Sequence, residues 1–234
     1  GSTNVNIGDV GIRGDRDRGL RRLLKWAGDV HTEVELIQRP VLRVSASPGS
    51  EPIYGMLFGA GVITRGIEYY HSNVHNKGMY DGTATGLTTL RMLLAIARRD
   101  PAYVAPIPVE VEMLTAADEA PRIVRKKEYL LLLVSALERL FLGIHPFWGK
   151  ESGSLRYTAV HKGPARPLFA MPPLFWGRPN RFATPGNGSE SHRVEALRLS
   201  MKGHFTLDGE LYQADSGDGP VSVSRDGPVT FVRL

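Results

Sequence analysis

Two carboxylates separated by a single glycine, Asp208 and Glu210, are the side chains in this sequence best spaced to do chemistry together. Gly209 lets the backbone turn sharply, so both carboxylates can lie on one rigid rim. Such a pair can bind a metal ion or hold one proton between its members. The alternative is an ordinary polar hairpin turn, because Asp-Gly is a common turn dipeptide.

The residues around this pair alternate between apolar and polar types, which predicts strands on both sides of the turn. Phe205 leads into the turn and Tyr212 leads out of it. A second hairpin is predicted from the apolar stretches 221–224 and 229–232, with Asp226-Gly227-Pro228 as its turn.

The run from Phe205 to Tyr212, followed by Gly219-Pro220-Val221 and a closing apolar strand, resembles the C-terminal signature of diacylglycerol kinase and sphingosine kinase-like lipid kinases. The resemblance implies that Asp208 is the general base for a lipid hydroxyl. It also implies that Glu210 lies near the nucleotide phosphates and binds their magnesium, so that ATP and Mg²⁺ are the cofactors.

The first residues add a weaker similarity to the same family. Residues 1–4 resemble the Gly-Thr-x-Asn segment that follows the nucleotide loop of these kinases, which implies nucleotide binding by Asn4. Val5 stands where the family has an Asp, and the initial Gly-Ser also fits an expression scar. The family's glycine-rich phosphate loop is not found in these 234 residues; Asp81-Gly82-Thr83 is predicted to cap a helix over 85–99 instead.

Two segments are candidates for a lipid pocket. The first is an apolar strand that contains Phe58 and ends in the small residues Gly59 and Gly61, which permit either close approach of a ligand or close packing of a helix. The second is the proline-rich stretch 164–187, which contains Phe175 and Trp176. It could receive acyl chains or pack its own aromatic rings.

The composition is that of a globular protein, with 42% hydrophobic and 23% charged residues and a net charge of +5. The absence of cysteine excludes disulfides and thiolate metal sites. A basic surface suits anionic headgroups or phosphates, and no nucleic-acid-binding signature accompanies it. We therefore expect a cytoplasmic protein, peripheral at an anionic membrane surface, with no nucleic-acid partner.

The expected fold is α+β, a β-rich sandwich domain with a few flanking helices that resembles the C-terminal lobe of the two-lobed lipid kinases. Residues 1–30 are assigned to a remnant and connecting helix of the nucleotide-binding lobe, and residues 31–234 to the lipid-binding domain. A helix is predicted over 17–26, strands over 32–44 with a break at Gln38-Arg39-Pro40, and a strand over 109–113. The hydrophobic periodicity of residues 122–142 does not distinguish a strand from a helix.

The function predicted from these residues and the resemblance is ATP-dependent phosphorylation of a lipid hydroxyl on a diacylglycerol-like or sphingoid substrate. The isolated chain is expected to be inactive because it lacks the phosphate loop. A non-catalytic lipid- or partner-binding module on the same fold stays open, and so does a kinase of a soluble substrate that resembles NAD kinases. The apolar helix face of Leu20, Leu23 and Leu24, together with 229–234, is expected to stay uncovered and to favour homo-oligomers.

Overall fold

The computed structural model describes residues 16–28, 35–73, 105–114, 123–140, 144–161, 177–178 and 184–233. These residues form two α-helices, one short 3-10 helix (Pro185–Asn187) and eleven strands. The helices are α1 (Arg16–Gly28) and α2 (Val62–Asn73). The strands are β1 (Glu35–Ser45), β2 (Ile53–Gly55), β3 (Leu57–Gly61), β4 (Ile107–Leu114), β5 (Ile123–Ser135), β6 (Leu155–His161), β7 (Ser189–Val194), β8 (Ala196–Met201), β9 (Gly203–Leu207), β10 (Glu210–Ala214) and β11 (Val221–Arg233).

All the strands belong to one sheet that curls back on itself. Its main path runs β10-β9-β3-β5-β4-β8-β11-β1-β2, and β6 pairs with β5 and β7 beside that path. Only Met56 separates β2 from β3, yet five strands lie between them in this order. Because Met56 alone joins β2 to β3, these two strands lie close together in space. The five strands between them in the sheet must therefore curve into a ring. The predicted β-rich α+β fold is thereby confirmed.

The ring encloses the hydrophobic core, and strand periodicity explains which side chains enter it. On β4 the alternate residues Val109, Val111 and Met113 are each no more than 1% exposed, whereas the residues between them are only half-buried. Side chains on a strand point alternately to its two faces, so one face of β4 lines the interior. Phe58, Phe205 and the corresponding residues of the other strands complete this core.

The predicted turn at Asp226-Gly227-Pro228 is wrong, because β11 runs without interruption from Val221 to Arg233. It pairs antiparallel with β1 along the whole length of that strand, and the register shifts by one residue between Pro40 and Val41. Pro40 lies opposite Pro228, and neither proline has an N–H to donate to the ladder. A β-bulge absorbs the extra residue here, so the turn-like residues mark an irregularity within one strand. The predicted break in β1 is wrong for the same reason.

Several other predictions from the sequence are confirmed, and some lie outside the described residues. The helix predicted over 17–26 is confirmed as α1, and the segment left open over 122–142 contains the strand β5, which pairs with β3, β4 and β6. Leu20, Leu23 and Leu24 are 54%, 44% and 63% exposed, as expected for an uncovered apolar face. The helix predicted over 85–99 lies outside the described residues, and the division at residue 30 stays a prediction. In the part of the chain that the structure describes, no helix is long and apolar enough to cross a membrane.

Candidate active site

The turn between β9 and β10 presents the two carboxylates predicted from the sequence. Leu207 pairs with Glu210, so Asp208 and Gly209 are the two residues of a tight hairpin loop. Both have positive φ angles, +52° at Asp208 and +97° at Gly209. Positive φ at both central residues is the mark of a type I′ turn, and Asp-Gly is one of the dipeptides that adopt it. The predicted hairpin is confirmed.

Asp208 is fixed against the kink between β2 and β3. Its Oδ2 accepts a hydrogen bond from the Met56 amide and its Oδ1 accepts one from the Leu57 amide, both at 3.0 Å. The Asp208 amide in turn donates to the Leu57 carbonyl at 2.9 Å. Each carboxylate oxygen therefore keeps one lone-pair direction for a further partner.

Gly55 makes room for this arrangement. A Cβ atom on Gly55 would lie 2.6 Å from Leu207 Cγ and 3.0 Å from Asp208 Oδ2. Glycine is therefore the residue that allows β2 to approach the turn this closely. The roles of Gly55 and of the two amides were not predictable from the sequence, because they depend on contacts between segments 152 and 151 residues apart.

The half-buried position of Asp208 changes its acidity. Burial raises the pKa of Asp208 above its usual value, the hydrogen bonds from Met56 and Leu57 oppose that rise, and the nearby charge of Glu210 adds to it. The net shift is upward, so desolvation outweighs the two amides. The carboxylate is consequently a better proton acceptor than an ordinary aspartate.

Glu210 lies at the surface, one residue beyond the turn. Its Oε2 accepts a hydrogen bond from the Tyr212 hydroxyl at 2.9 Å, and this bond raises the pKa of Tyr212. The Tyr212 ring stacks on Phe205 with ring centroids 5.5 Å apart, and Phe205 stacks on Phe58 at 5.1 Å. A column of three aromatic rings thus connects the Glu210 side of the turn to the core.

The residues predicted to form a lipid pocket are placed as follows. Phe58 is fully buried in this aromatic column. A Cβ on Gly59 would lie 3.1 Å from the Ile63 side chain of α2, and one on Gly61 would lie 2.3 Å from the Leu130 carbonyl. Close packing therefore accounts for both glycines. Phe175 and Trp176 lie outside the described residues, as does Asn4.

The donor set at the turn fits a magnesium ion held jointly with a nucleotide. Mg²⁺ is commonly bound through one or two carboxylates together with phosphates and water. Glu210 offers one exposed carboxylate for this role. No group of three histidine or acidic side chains that could hold a metal ion by itself exists among the described residues.

A second set of charged side chains lies at the edge of the core and is centred on Glu190 of β7, which is 1% exposed. The Glu190 carboxylate forms an ion pair with Arg125, accepts a hydrogen bond from Tyr157 at 3.3 Å and lies 3.1 Å from His161 Nε2. Lys127 Nζ lies 3.3 Å from His161 Nδ1 on the other side of the ring. We call these five residues the Glu190 network.

The contacts of His161 define its protonation. Burial lowers the pKa of His161 to about 4, and the charges of Lys127 and Arg125 act in the same direction. The ring is therefore neutral near pH 7, with Nε2 donating to Glu190 and Nδ1 accepting from Lys127. This network was not predictable from the sequence, because its members are far apart in the chain.

Comparisons with known proteins give fold-level similarity only. No protein-family model matches the chain, and no curated protein matches its sequence. Solved structures do match. Two of a "putative diacylglycerol kinase" from Bacillus anthracis cover 82% of this chain at 13% identity, with TM-scores of 0.49 and 0.45. A third, of a diacylglycerol kinase from the same organism, covers 82% at 15% identity with a TM-score of 0.46.

This chain spans 56%, 55% and 54% of those three proteins, or about half of their length. At these identities and TM-scores the similarity does not extend to activity, so the function has to be argued from the turn itself.

Proposed function

We propose that this chain is the substrate-binding, C-terminal lobe of an ATP-dependent lipid kinase, and that its Asp208-Gly209-Glu210 turn faces the reacting groups. The observation that carries the proposal is the rigid turn. It holds one half-buried carboxylate of raised pKa next to one exposed carboxylate, within a sequence that resembles the lipid-kinase signature. The substrate would be a lipid with a free hydroxyl, such as a diacylglycerol or a sphingoid base.

Phosphoryl transfer depends mainly on positioning and charge stabilisation. Asp208 would accept the proton of the lipid hydroxyl through a lone pair that its backbone hydrogen bonds leave available. A raised pKa suits a general base, because it strengthens proton acceptance near neutral pH. The two amides would hold the carboxylate in one orientation throughout.

Glu210 would contribute a carboxylate ligand to Mg²⁺ on the nucleotide side, while Tyr212 orients it by donating a hydrogen bond. When bound, ATP with Mg²⁺ supplies the transferable phosphoryl group and neutralises its charge. The glycine-rich loop that would hold the phosphates is not found in this sequence, so we expect the chain to have no kinase activity by itself.

A binding module without catalysis is the second candidate, and the contacts of Asp208 are the observation in its favour. A carboxylate that accepts two backbone hydrogen bonds also acts as a structural clamp between β2–β3 and the β9–β10 hairpin. In that role Asp208 would be needed for folding, whereas Glu210 would be dispensable. The two candidates therefore differ most at Glu210.

The test is a lipid-kinase assay on the natural-length gene product that contains this chain, alongside the 234-residue chain alone. Diacylglycerol and sphingosine are offered separately, with ATP and Mg²⁺. We expect phosphorylated lipid from the longer protein, and a loss of about 10²- to 10⁴-fold in rate in Asp208→Asn, as for removal of a general base. The pH–rate profile should rise along a limb whose midpoint lies above 3.8, the ordinary value for an aspartate.

Glu210→Gln separates chemistry from folding, because an amide oxygen can still accept the Tyr212 hydrogen bond. A large loss of rate in this variant at unchanged thermal stability supports the kinase. Asp218→Asn, in the exposed turn before β11, is the matched control and should keep full activity. If the natural-length protein binds lipid vesicles but forms no phosphorylated lipid, the result contradicts the kinase proposal and supports the binding module.

A further inference from the structure

A cavity of about 400 Å³ opens at the bulge between β1 and β11. Its lining includes Arg39 and Pro40 of β1, Arg225 of β11, Glu138 and Arg156. We call it the arginine cavity. Its size is within the range of small-molecule sites, so it suits a headgroup or metabolite better than a protein segment.

The charge of the lining selects anions. Three arginines and one glutamate line the cavity, so cationic side chains outnumber anionic ones among its lining residues. Guanidinium groups present planar sets of N–H donors that match the oxygens of phosphate. A phosphate monoester carries close to two negative charges at neutral pH and has three terminal oxygens, so it fits this lining better than a single carboxylate does.

One of the arginines is already held in place. The Arg156 side chain is 13% exposed, and its Nη2 donates to Glu138 Oε1 at 2.7 Å while its Nη1 lies 3.4 Å from the Ala136 carbonyl. Because Glu138 is itself 73% exposed, it orients Arg156 without closing the cavity to solvent. A pre-oriented guanidinium loses less conformational entropy on binding a ligand.

The bulge brings the exposed Arg225 to the cavity. Arg225 pairs with Leu42, and the register shift follows immediately beyond them at Val41 and Pro40. Bulges bend a strand locally and redirect its side chains, and they are enriched beside functional sites. The sequence predicted a turn at Asp226-Gly227-Pro228, but these residues form a bulge instead. The bulge places the cation Arg225 beside the cavity.

The cavity and the turn share one stretch of main chain. The Met56 amide binds Asp208, while the Met56 carbonyl accepts hydrogen bonds from the Ala136 amide at 3.2 Å and from Ser135 Oγ at 3.0 Å. Ala136 lines the arginine cavity. Met56 therefore connects the two features, because its amide binds the turn and its carbonyl binds Ala136.

We infer that the arginine cavity is a binding site for a phosphate monoester, supplied either by a free small molecule or by a lipid headgroup. This inference does not depend on the proposed kinase activity, because it rests on a separate cavity and separate residues. Binding can be measured with phosphate alone, without ATP or a lipid acceptor.

The experiment titrates inorganic phosphate into the purified 234-residue chain by calorimetry, at constant low ionic strength. A parallel arm measures co-sedimentation with phosphatidylcholine vesicles that contain or lack phosphatidic acid, whose headgroup is a phosphate monoester. Saturable binding of free phosphate identifies a soluble ligand as the source. Binding only to the vesicles with phosphatidic acid identifies a headgroup.

Arg225→Gln should weaken binding in the responding arm by about tenfold, the usual cost of losing one charge-assisted hydrogen bond. Arg43→Gln is the matched control, because Arg43 is an exposed cation on β1 that does not line the cavity. It should bind like the unmodified chain. Equal weakening in the two variants would mean general surface attraction and would overturn the inference, as would the absence of saturable binding in both arms.

Discussion

Two carboxylates of this molecule, Asp208 and Glu190, are held in opposite ways. Asp208 is half-buried at the rim of the sheet, and its described hydrogen-bond partners are backbone amides. Glu190 is buried at the edge of the core, and its partners are the side chains of Arg125, His161 and Tyr157. Amides position a charge without neutralising it, whereas an arginine compensates it directly.

The difference has a consequence for function. A carboxylate held by amides beside solvent remains available for a proton or a ligand, and this is what a catalytic group requires. A carboxylate paired with one guanidinium group and hydrogen-bonded to one hydroxyl and one neutral imidazole is already compensated, so its main effect is on folding. We therefore expect substitutions in the Glu190 network to act on stability and substitutions at the turn to act on activity.

The largest effect is expected for Glu190→Gln. Removing one partner of a buried ion pair leaves Arg125 without compensation for its charge and should lower the free energy of unfolding by about 3–5 kcal/mol. Urea denaturation of the purified chain measures this. Glu151→Gln is the control, because Glu151 pairs with His192 but is 45% exposed, and it should cost about 1 kcal/mol or less. Similar losses in the two variants would remove the proposed distinction between core and rim.

The pH dependence of stability should report on His161. The pKa of His161 falls from 6.5 in the unfolded chain to about 4 in the folded one, so the folded state favours the neutral ring. The unfolded chain then binds more protons than the folded chain between these values, and stability is lost as the pH falls from 6.5 towards 4.

The stability that protonation of His161 removes between these two pKa values amounts to about 3 kcal/mol, since one pKa unit corresponds to about 1.4 kcal/mol. Urea denaturation at a series of pH values should show a shallower acid loss in His161→Gln than in the unmodified chain. Parallel curves for the two proteins would mean that His161 is not neutral within the network.

Gly55→Ala tests the steric basis of the turn. The new Cβ would lie 2.6 Å from Leu207 Cγ and 3.0 Å from Asp208 Oδ2, so the hairpin has to move away from β2. A loss of about 1–3 kcal/mol in stability is expected, as for other overpacked sites. On the proposed function, the kinase rate of the natural-length protein should fall as well.

Gly227→Ala provides the comparison for that variant, because nothing lies within 4 Å of the Cβ position at Gly227. It should be nearly neutral in thermal denaturation. If Gly55→Ala were equally neutral, the close approach of β2 to the turn would not matter for the fold.

Tyr212→Phe should have the smallest effect. It removes the hydrogen bond to the exposed Glu210 but keeps the ring that stacks on Phe205. Stability should change by less than about 1 kcal/mol, as for a hydrogen bond near solvent. On the proposed function, the kinase rate of the natural-length protein should fall by a few-fold only. A loss as large as that in Glu210→Gln would assign the essential role to the tyrosine hydroxyl.

Much of the local structure was predictable, because it depends on neighbouring residues. Asp208-Gly209 has the chemistry of a type I′ turn, and alternation of apolar residues predicted β4, β9 and β10. The same rules failed at Asp226-Gly227-Pro228, where the turn-forming residues lie inside the long strand β11. Pairing with β1 along its whole length outweighs the local preference for a turn there.

The sequence by itself determined which side chains could do chemistry and which segments would be extended, since both follow from residue type and short-range spacing. Only the tertiary structure decided what surrounds them. It places the Met56 and Leu57 amides on Asp208, raises the pKa of that carboxyl by burial, and assembles the Glu190 network and the arginine cavity from separate strands. Burial and hydrogen bonding depend on distances between residues far apart in the chain, and only the folding of the sheet establishes those distances.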